Sequence, residues 1–345
     1  MWNPDAYIEQ LYKNETRRLS FQAASASEWQ AWRKELLARF KESLGAFHDV
    51  GFTGEARIVE TVDCGDYVRE RLELRTAESL LMPTYLLIPK RQGNAGRKPP
   101  LVVACHGHGY GSKAAVGLLP DGQDSGDDPN VHHKFGVSLV QRGFAVIVPE
   151  LIGFGDRKLE HEPIVNRDTN SCFPIGAFLL MIGKSIAGLR IQETIAAIDY
   201  ACGRDDIDSS RIGIYGLSGG GLIAAYTAAL DERIRAAVIS CYTNTFRDSI
   251  LDRRHCLDNY IPHILAYAEM PDLIGLIAPR PLFVEAGVND HLFPLHGTKQ
   301  ALEVLERVYL AAGVPERLSS VLFPGGHEVC GEQSYPWLER MLDLQ

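Results

Sequence analysis

Apolar residues recur along this chain with three different spacings, and each spacing predicts a different element. Over residues 27–44 (SEWQAWRKELLARFKESL), Trp29, Trp32, Leu36, Leu37 and Phe40 fall at helical intervals with charges on the other face, the signature of an amphipathic helix. A shorter helix is expected near residues 5–13. Ala56–Asp63 and Tyr67–Leu74 are alternating runs on either side of a Gly-Asp turn, which predicts a hairpin, and Thr84–Ile88 predicts a third strand. Residues 91–99 read as a polar surface connection. Beyond residue 100 the alternation stops. Leu101–Cys105, Phe144–Val148, Ile212–Tyr215, Ala237–Ser240, Pro281–Glu285 and Ser320–Phe323 are short, continuous apolar runs. Such runs suit strands covered on both faces, as in a parallel sheet.

Helical segments separate many of these runs, at about 134–142, 183–203, 219–230 and 297–312, with a last helix near 335–343. Antiparallel strands followed by alternating strand and helix predict an α/β fold: a mostly parallel central sheet with antiparallel leading strands and helices on both faces. Residues 107–133, 151–183 and 242–278 are too long for simple connections, and the third contains short helices of its own. All three are expected to follow the C-terminal ends of strands, where functional loops gather. The chain is therefore read as an N-terminal helical extension over 1–55 and one catalytic domain over 56–345. The surplus length is assigned to substrate selection and association, which leaves room for a homo-oligomer.

Composition narrows the classes. Hydrophobic residues make up 46% and charged residues 23% of 345 residues, the balance of a globular enzyme. With 35 basic and 44 acidic residues the net charge is −9, which argues against a nucleic-acid partner. The seven cysteines are scattered and form no CxxC pair, which suits a reducing compartment and argues against a disulfide framework or a zinc-cysteine site. The longest apolar run, Cys172 to Gly183, is shorter than the ~20 residues a membrane span needs. The opening residues carry no apolar signal core. A cytoplasmic location without membrane attachment is the expectation.

The chemistry concentrates at Gly216-Leu217-Ser218-Gly219-Gly220, a G-x-S-x-G between a strand and a helix. A nucleophile on so sharp a turn has crowded neighbours two residues away, so both are glycine, and the turn lifts its hydroxyl clear of the sheet. Serine needs a base, and His327 follows the last strand in Pro324-Gly325-Gly326-His327-Glu328. The imidazole needs a carboxylate. Asp290, after the strand Pro281–Glu285, is the choice, and Glu285 at the strand end is the rival. The order Ser218, Asp290, His327 is that of α/β-hydrolases. The oxyanion donors are expected to be the amides of Gly219 and of His108 in His106-Gly107-His108-Gly109. His106 is expected beneath the site, ordering that loop. His106, His108, His132 and His133 accompany no metal-binding pattern, so neither a metal nor a cofactor is expected.

With these residues in view, the chain resembles the α/β-hydrolases of the dienelactone hydrolase and acetyl xylan esterase-like branch. The resemblance rests on CHGHG at 105–109, GFGDR at 153–157, GLSGG at 216–220, APRPLFVEAGVNDHLFP at 278–294 and PGGHE at 324–328, and covers about residues 57–330. It implies a serine hydrolase of carboxylic esters, short acyl groups being the commonest substrates, with Ser218 as nucleophile, His327 as base and Asp290 as its partner. Dienelactone hydrolases proper use a cysteine where this chain has Ser218. Around the site, His106, Asp156, Arg157, Tyr260, His263 and Tyr267 are candidates to line the substrate. For Asp156 and Arg157 an ion pair that pins their loop is the competing reading, and for the last three it is core packing. A small-molecule ester is the expected partner. A peptidase or amidase of this fold and a non-catalytic binding protein are the alternatives.

Overall fold

In the computed structural model, which describes residues 2–90, 97–128 and 130–344, nine strands form one sheet in the order β1-β2-β3-β5-β4-β6-β7-β8-β9. They are β1 (Ala56–Asp63), β2 (Tyr67–Ala77), β3 (Leu80–Pro89), β4 (Pro100–Cys105), β5 (Ala145–Pro149), β6 (Asp208–Leu217), β7 (Ile234–Ser240), β8 (Leu282–Gly287) and β9 (Leu318–Phe323). The first three and β5 pair antiparallel, and the pairs from β5 to β9 are parallel. The helices are α1 (Asp5–Asn14), α2 (Ala26–Leu44), α3 (Ser112–Ala115), α4 (Phe135–Gln141), α5 (Cys172–Met181), α6 (Ile186–Cys202), α7 (Gly219–Leu230), α8 (Met270–Gly275), α9 (Leu295–Ala311) and α10 (Ser334–Met341). Most of the polar connection expected at 91–99 lies outside the described residues.

The alternation of side chains along β4 shows why its sequence is uniformly apolar. Leu101, Val103 and Cys105 join a core with α2, α6, α7, α8 and α9, while Val102 and Ala104 join a second core with α4 and α10 on the opposite face. A strand buried on both faces has no polar side to show. The leading edge behaves differently. Apart from Val62, β1 is exposed along its whole length, because it lies beyond the helical layers, so its alternation marks a pleat rather than a buried face.

The helix α2 forms because its apolar stripe has a partner. Trp29, Trp32, Leu36 and Phe40 are buried against the sheet's helical layer, and Phe40 meets Tyr226 of α7 edge-on at 4.9 Å. Ser25 caps it by accepting from the Glu28 amide at 3.3 Å. One helix escaped the periodicity. Residues 172–183 read as part of a long connection, yet α5 occupies Cys172–Met181. Apolar on every side, it carries no 3.6-residue contrast, and Phe173, Phe178 and Met181 stay exposed. No single helix among the described residues is long and apolar enough to cross a membrane.

Candidate active site

Strand β6 ends in a turn that only its neighbours' small size permits. Ser218 has φ 56° and ψ −121°, a strained conformation for a residue with a side chain. A Cβ on Gly216 would strike the carbonyl oxygen of Gly220, and one on Gly220 would strike that of Cys105. These are the two glycines that stand two residues from the serine on either side, and α7 begins at the residue after the serine. The Ser218 amide donates to the Ser240 carbonyl at 2.9 Å, tying the turn to β7.

The loops after β8 and β9 bring the other two candidates together. His327 Nδ1 lies 2.7 Å from Asp290 Oδ2. The other carboxylate oxygen accepts from the amides of Leu292 and Phe293 at 2.8 and 3.0 Å. Burial pulls the Asp290 carboxyl upward, but the hydrogen bond and charge of His327 and these two amides outweigh it, and the group sits below its usual range. With Nδ1 donating to the carboxylate, Nε2 is the basic nitrogen. Phe293 stacks on the imidazole at 5.7 Å and 14°, holding its plane. His327 and Ser218 face one cavity of about 240 Å³, which is also lined by Gly107, His108, Gly219, Arg254, His255, Cys256, Asn259 and Phe293.

Glu285, the rival carboxylate, has another task. It is fully buried and accepts from Tyr215, Ser240 and the Cys330 amide on one oxygen, and from the Gly331 amide and Ser334 on the other, all between 2.8 and 3.0 Å. It anchors the chain three residues past His327 and does not contact the imidazole.

The loop after β4 is set by two neutral histidines. His106 is completely buried; its Nδ1 donates to the Gly107 carbonyl at 2.9 Å and its Nε2 accepts from the Leu151 amide at 3.1 Å. His132 Nε2 accepts from the Gly107 amide at 2.9 Å, and its Nδ1 lies 2.6 Å from Asn130 Oδ1. Burial pushes both imidazoles down to about 3. All four ring nitrogens are occupied, so these rings have no lone pair to offer a metal. Their depressed values fix the sign of a pH effect. The unfolded chain takes up protons near the ordinary value of about 6.5 while the folded one does not. Stability is therefore full above about pH 6.5 and is lost as pH falls toward about 3. Unfolding followed from about pH 7 to about pH 4.5 is expected to show a steadily falling Tm, and a flat Tm across that interval would contradict the assignment.

Five of the residues picked as substrate-lining sit elsewhere, and so does His106, which lies under the loop. Asp156 points to the surface and pairs with Arg71 at 2.8 Å and Lys113 at 3.0 Å. Arg157 is buried in a bidentate pair with Glu193 at 2.6 and 2.7 Å. Each pins its loop through a distant partner rather than through the other. Tyr260 and His263 line a separate apolar cavity of about 430 Å³ against α1. Tyr267 packs under the guanidinium groups of Arg18 and Arg39. The residues that do wall the serine cavity, Arg254 to Cys256 and Asn259, come just before them in the same segment. A one-turn helix at Leu257–Asn259 redirects the chain there, and no hydrophobic period announces so short a turn.

The parallel sheet, the strained serine between strand and helix and the histidine after the last strand define an α/β-hydrolase. The chain belongs to the Abhydrolase family, whose model matches residues 5–321. It is 30% identical over 270 residues to a Bacillus subtilis (strain 168) protein named as the hydrolase YtaP, covering 75% of this chain and 84% of that one. Its fold is shared with a Bacteroides fragilis NCTC 9343 protein named as an acetyl xylan esterase, with TM-score 0.82, 17% identity and coverage of 99% of this chain and 96% of that one. It is shared too with a glucuronoyl esterase from Solibacter usitatus, with TM-score 0.64, 15% identity and coverage of 94% and 95%.

Proposed function

We propose that this enzyme of the carboxylesterase type hydrolyses short-chain, acetyl-type esters through Ser218, His327 and Asp290. In this reading His327 Nε2 takes the Ser218 proton as the hydroxyl attacks the ester carbonyl. The amides of Gly219 and His108 hold the negative oxygen, each such donor contributing about 3 kcal/mol to lowering the barrier. The alcohol leaves with the proton from His327, and water activated by the same imidazole releases the acid from the acyl-enzyme. The Asp290 carboxylate keeps the imidazole in the tautomer this needs and stabilises its cation. No cofactor takes part in this cycle.

The observation that carries the acyl limit is the cavity. At about 240 Å³ it is below the ~300–1,000 Å³ usual for drug-sized ligands, so it suits a small acyl group better than a fatty chain. Its lining also includes the polar side chains of His108, Arg254, His255 and Asn259. Solvated polar side chains in the wall favour a polar alcohol over a lipid, because a ligand that covers them without pairing them loses their hydration. Esters of sugars meet both demands.

The test is an acyl series of p-nitrophenyl esters from acetate to octanoate, run beside a methyl glucuronate ester and an acyl anilide. The expected order is acetate first, with kcat/KM falling at least tenfold by octanoate. A preference for octanoate would contradict the acyl limit. Faster cleavage of the glucuronate ester would move the substrate to the acid side of the sugar. Faster cleavage of the anilide would make the protein an amidase.

A further inference from the structure

Two cysteines from different loops meet behind the serine cavity. Cys172 opens α5 in the loop after β5, and Cys256 lies in the loop after β7 and lines the cavity itself. Their sulfurs and a ring nitrogen of His108 all lie within 4.8 Å of one another. The backbones converge at the same place: a Cβ on Gly176 of α5 would stand 2.8 Å from the Cβ of Leu257. An S–S bond of about 2.05 Å requires two cysteines on closely approaching backbones, and these sulfurs already lie within 4.8 Å of each other. The guanidinium of Arg190 donates to Cys172 Sγ at 3.0 Å, and its charge is answered by Asp258 at 2.6 Å.

We propose that Cys172 and Cys256 are a modification site: a dithiol that a peroxide entering the cavity converts to a disulfide, fastening the two long loops to each other. The inference stands apart from the choice of ester. One sulfur attacks the peroxide, the O–O bond breaks, and a sulfenic acid forms as hydroxide leaves. The second sulfur displaces the oxygen from the first. In sum two thiols and one hydrogen peroxide give one disulfide and two waters, the sulfurs losing two electrons. The surroundings favour this chemistry over a metal. The Arg190 guanidinium against the Cys172 sulfur repels a divalent cation but stabilises a thiolate. The hydrogen bond with Cys256 lowers the Cys172 thiol, and the Arg190 charge adds to it against the pull of burial, leaving the group below its ordinary value.

The experiment treats the reduced full-length chain with hydrogen peroxide, alkylates the remaining thiols and maps the unreduced digest by mass spectrometry. The expected result is a joined peptide pair carrying Cys172 and Cys256, released by dithiothreitol, with a Tm raised by a few degrees in the oxidised protein because the loop between them is closed. Cys256→Ser is expected to lose both the pair and the Tm rise. Continued alkylation of both thiols, a sulfinic acid on Cys256 without a pair, or pairing to other cysteines would overturn the proposal. So would retention of one equivalent of added zinc that shields both sulfurs, which would make the trio with His108 a metal site. The digest reads the bond directly, so it remains decisive where the catalytic reading fails.

Discussion

Replacing Ser218 with alanine is expected to lower kcat for p-nitrophenyl acetate by about 10⁴-fold or more while leaving Tm unchanged or slightly raised. The size follows from the proposed role: without the hydroxyl no acyl-enzyme would form, and what would remain is binding and the oxyanion donors acting on water. The stability follows from the backbone. Ser218 holds φ 56°, and its hydroxyl faces the cavity, so alanine inherits the strain without losing a buried partner. Circular dichroism and a thermal melt accompany the assay. A folded variant with undiminished turnover would remove Ser218 from the mechanism.

The second large effect falls on a residue that touches none of the reacting atoms. Glu285→Gln keeps the volume but turns one of two accepting oxygens into a donor, facing partners that are themselves donors: the Gly331 amide and Ser334 on one side, or Tyr215, Ser240 and the Cys330 amide on the other. Leaving buried donors unpaired is expected to cost about 3 kcal/mol or more, seen as a fall in the urea midpoint. The loop bearing His327 is anchored there, so kcat is expected to drop by about 10–100-fold through misplacement. Asp290→Asn should show the opposite profile, with stability nearly kept and kcat down about 10⁴-fold because the imidazole loses its tautomer. If the two variants exchanged these profiles, Glu285 and not Asp290 would be the partner of His327.

The contrast between these two carboxylates shows what could be read from the sequence. The fold was legible because buried parallel strands cannot hide: Leu101–Cys105 has no polar position when both its faces meet helices. The serine turn was legible because sterics dictates its glycines, and the structure sets Gly216 against Gly220 as that argument requires. Asp290 lies within hydrogen-bond distance of His327, while Glu285, five residues earlier, is sealed in the core. Strand position separated them, since a residue inside β8 alternates into a face and one past its end reaches the loops. The cavity wall was not legible. Asp156 and Arg157 have partners from Arg71 and Lys113 to Glu193, far away in the chain, and no local pattern encodes which charge a loop residue meets. Likewise Cys172 and Cys256 look like scattered thiols until two insertions are folded over one site.

The proposed mechanism stands or falls with Ser218 as the activated nucleophile of this cavity. Labelling with a fluorophosphonate ester, followed by peptide mapping, tests it most directly, because the reagent reports an activated serine whatever the natural substrate is. The expected result is one adduct per chain on Ser218, loss of esterase activity in step with labelling, and slowed labelling in Asp290→Asn. An unlabelled Ser218 in protein that still cleaves p-nitrophenyl acetate, or an adduct on another residue that accounts for the lost activity, would place the nucleophile elsewhere.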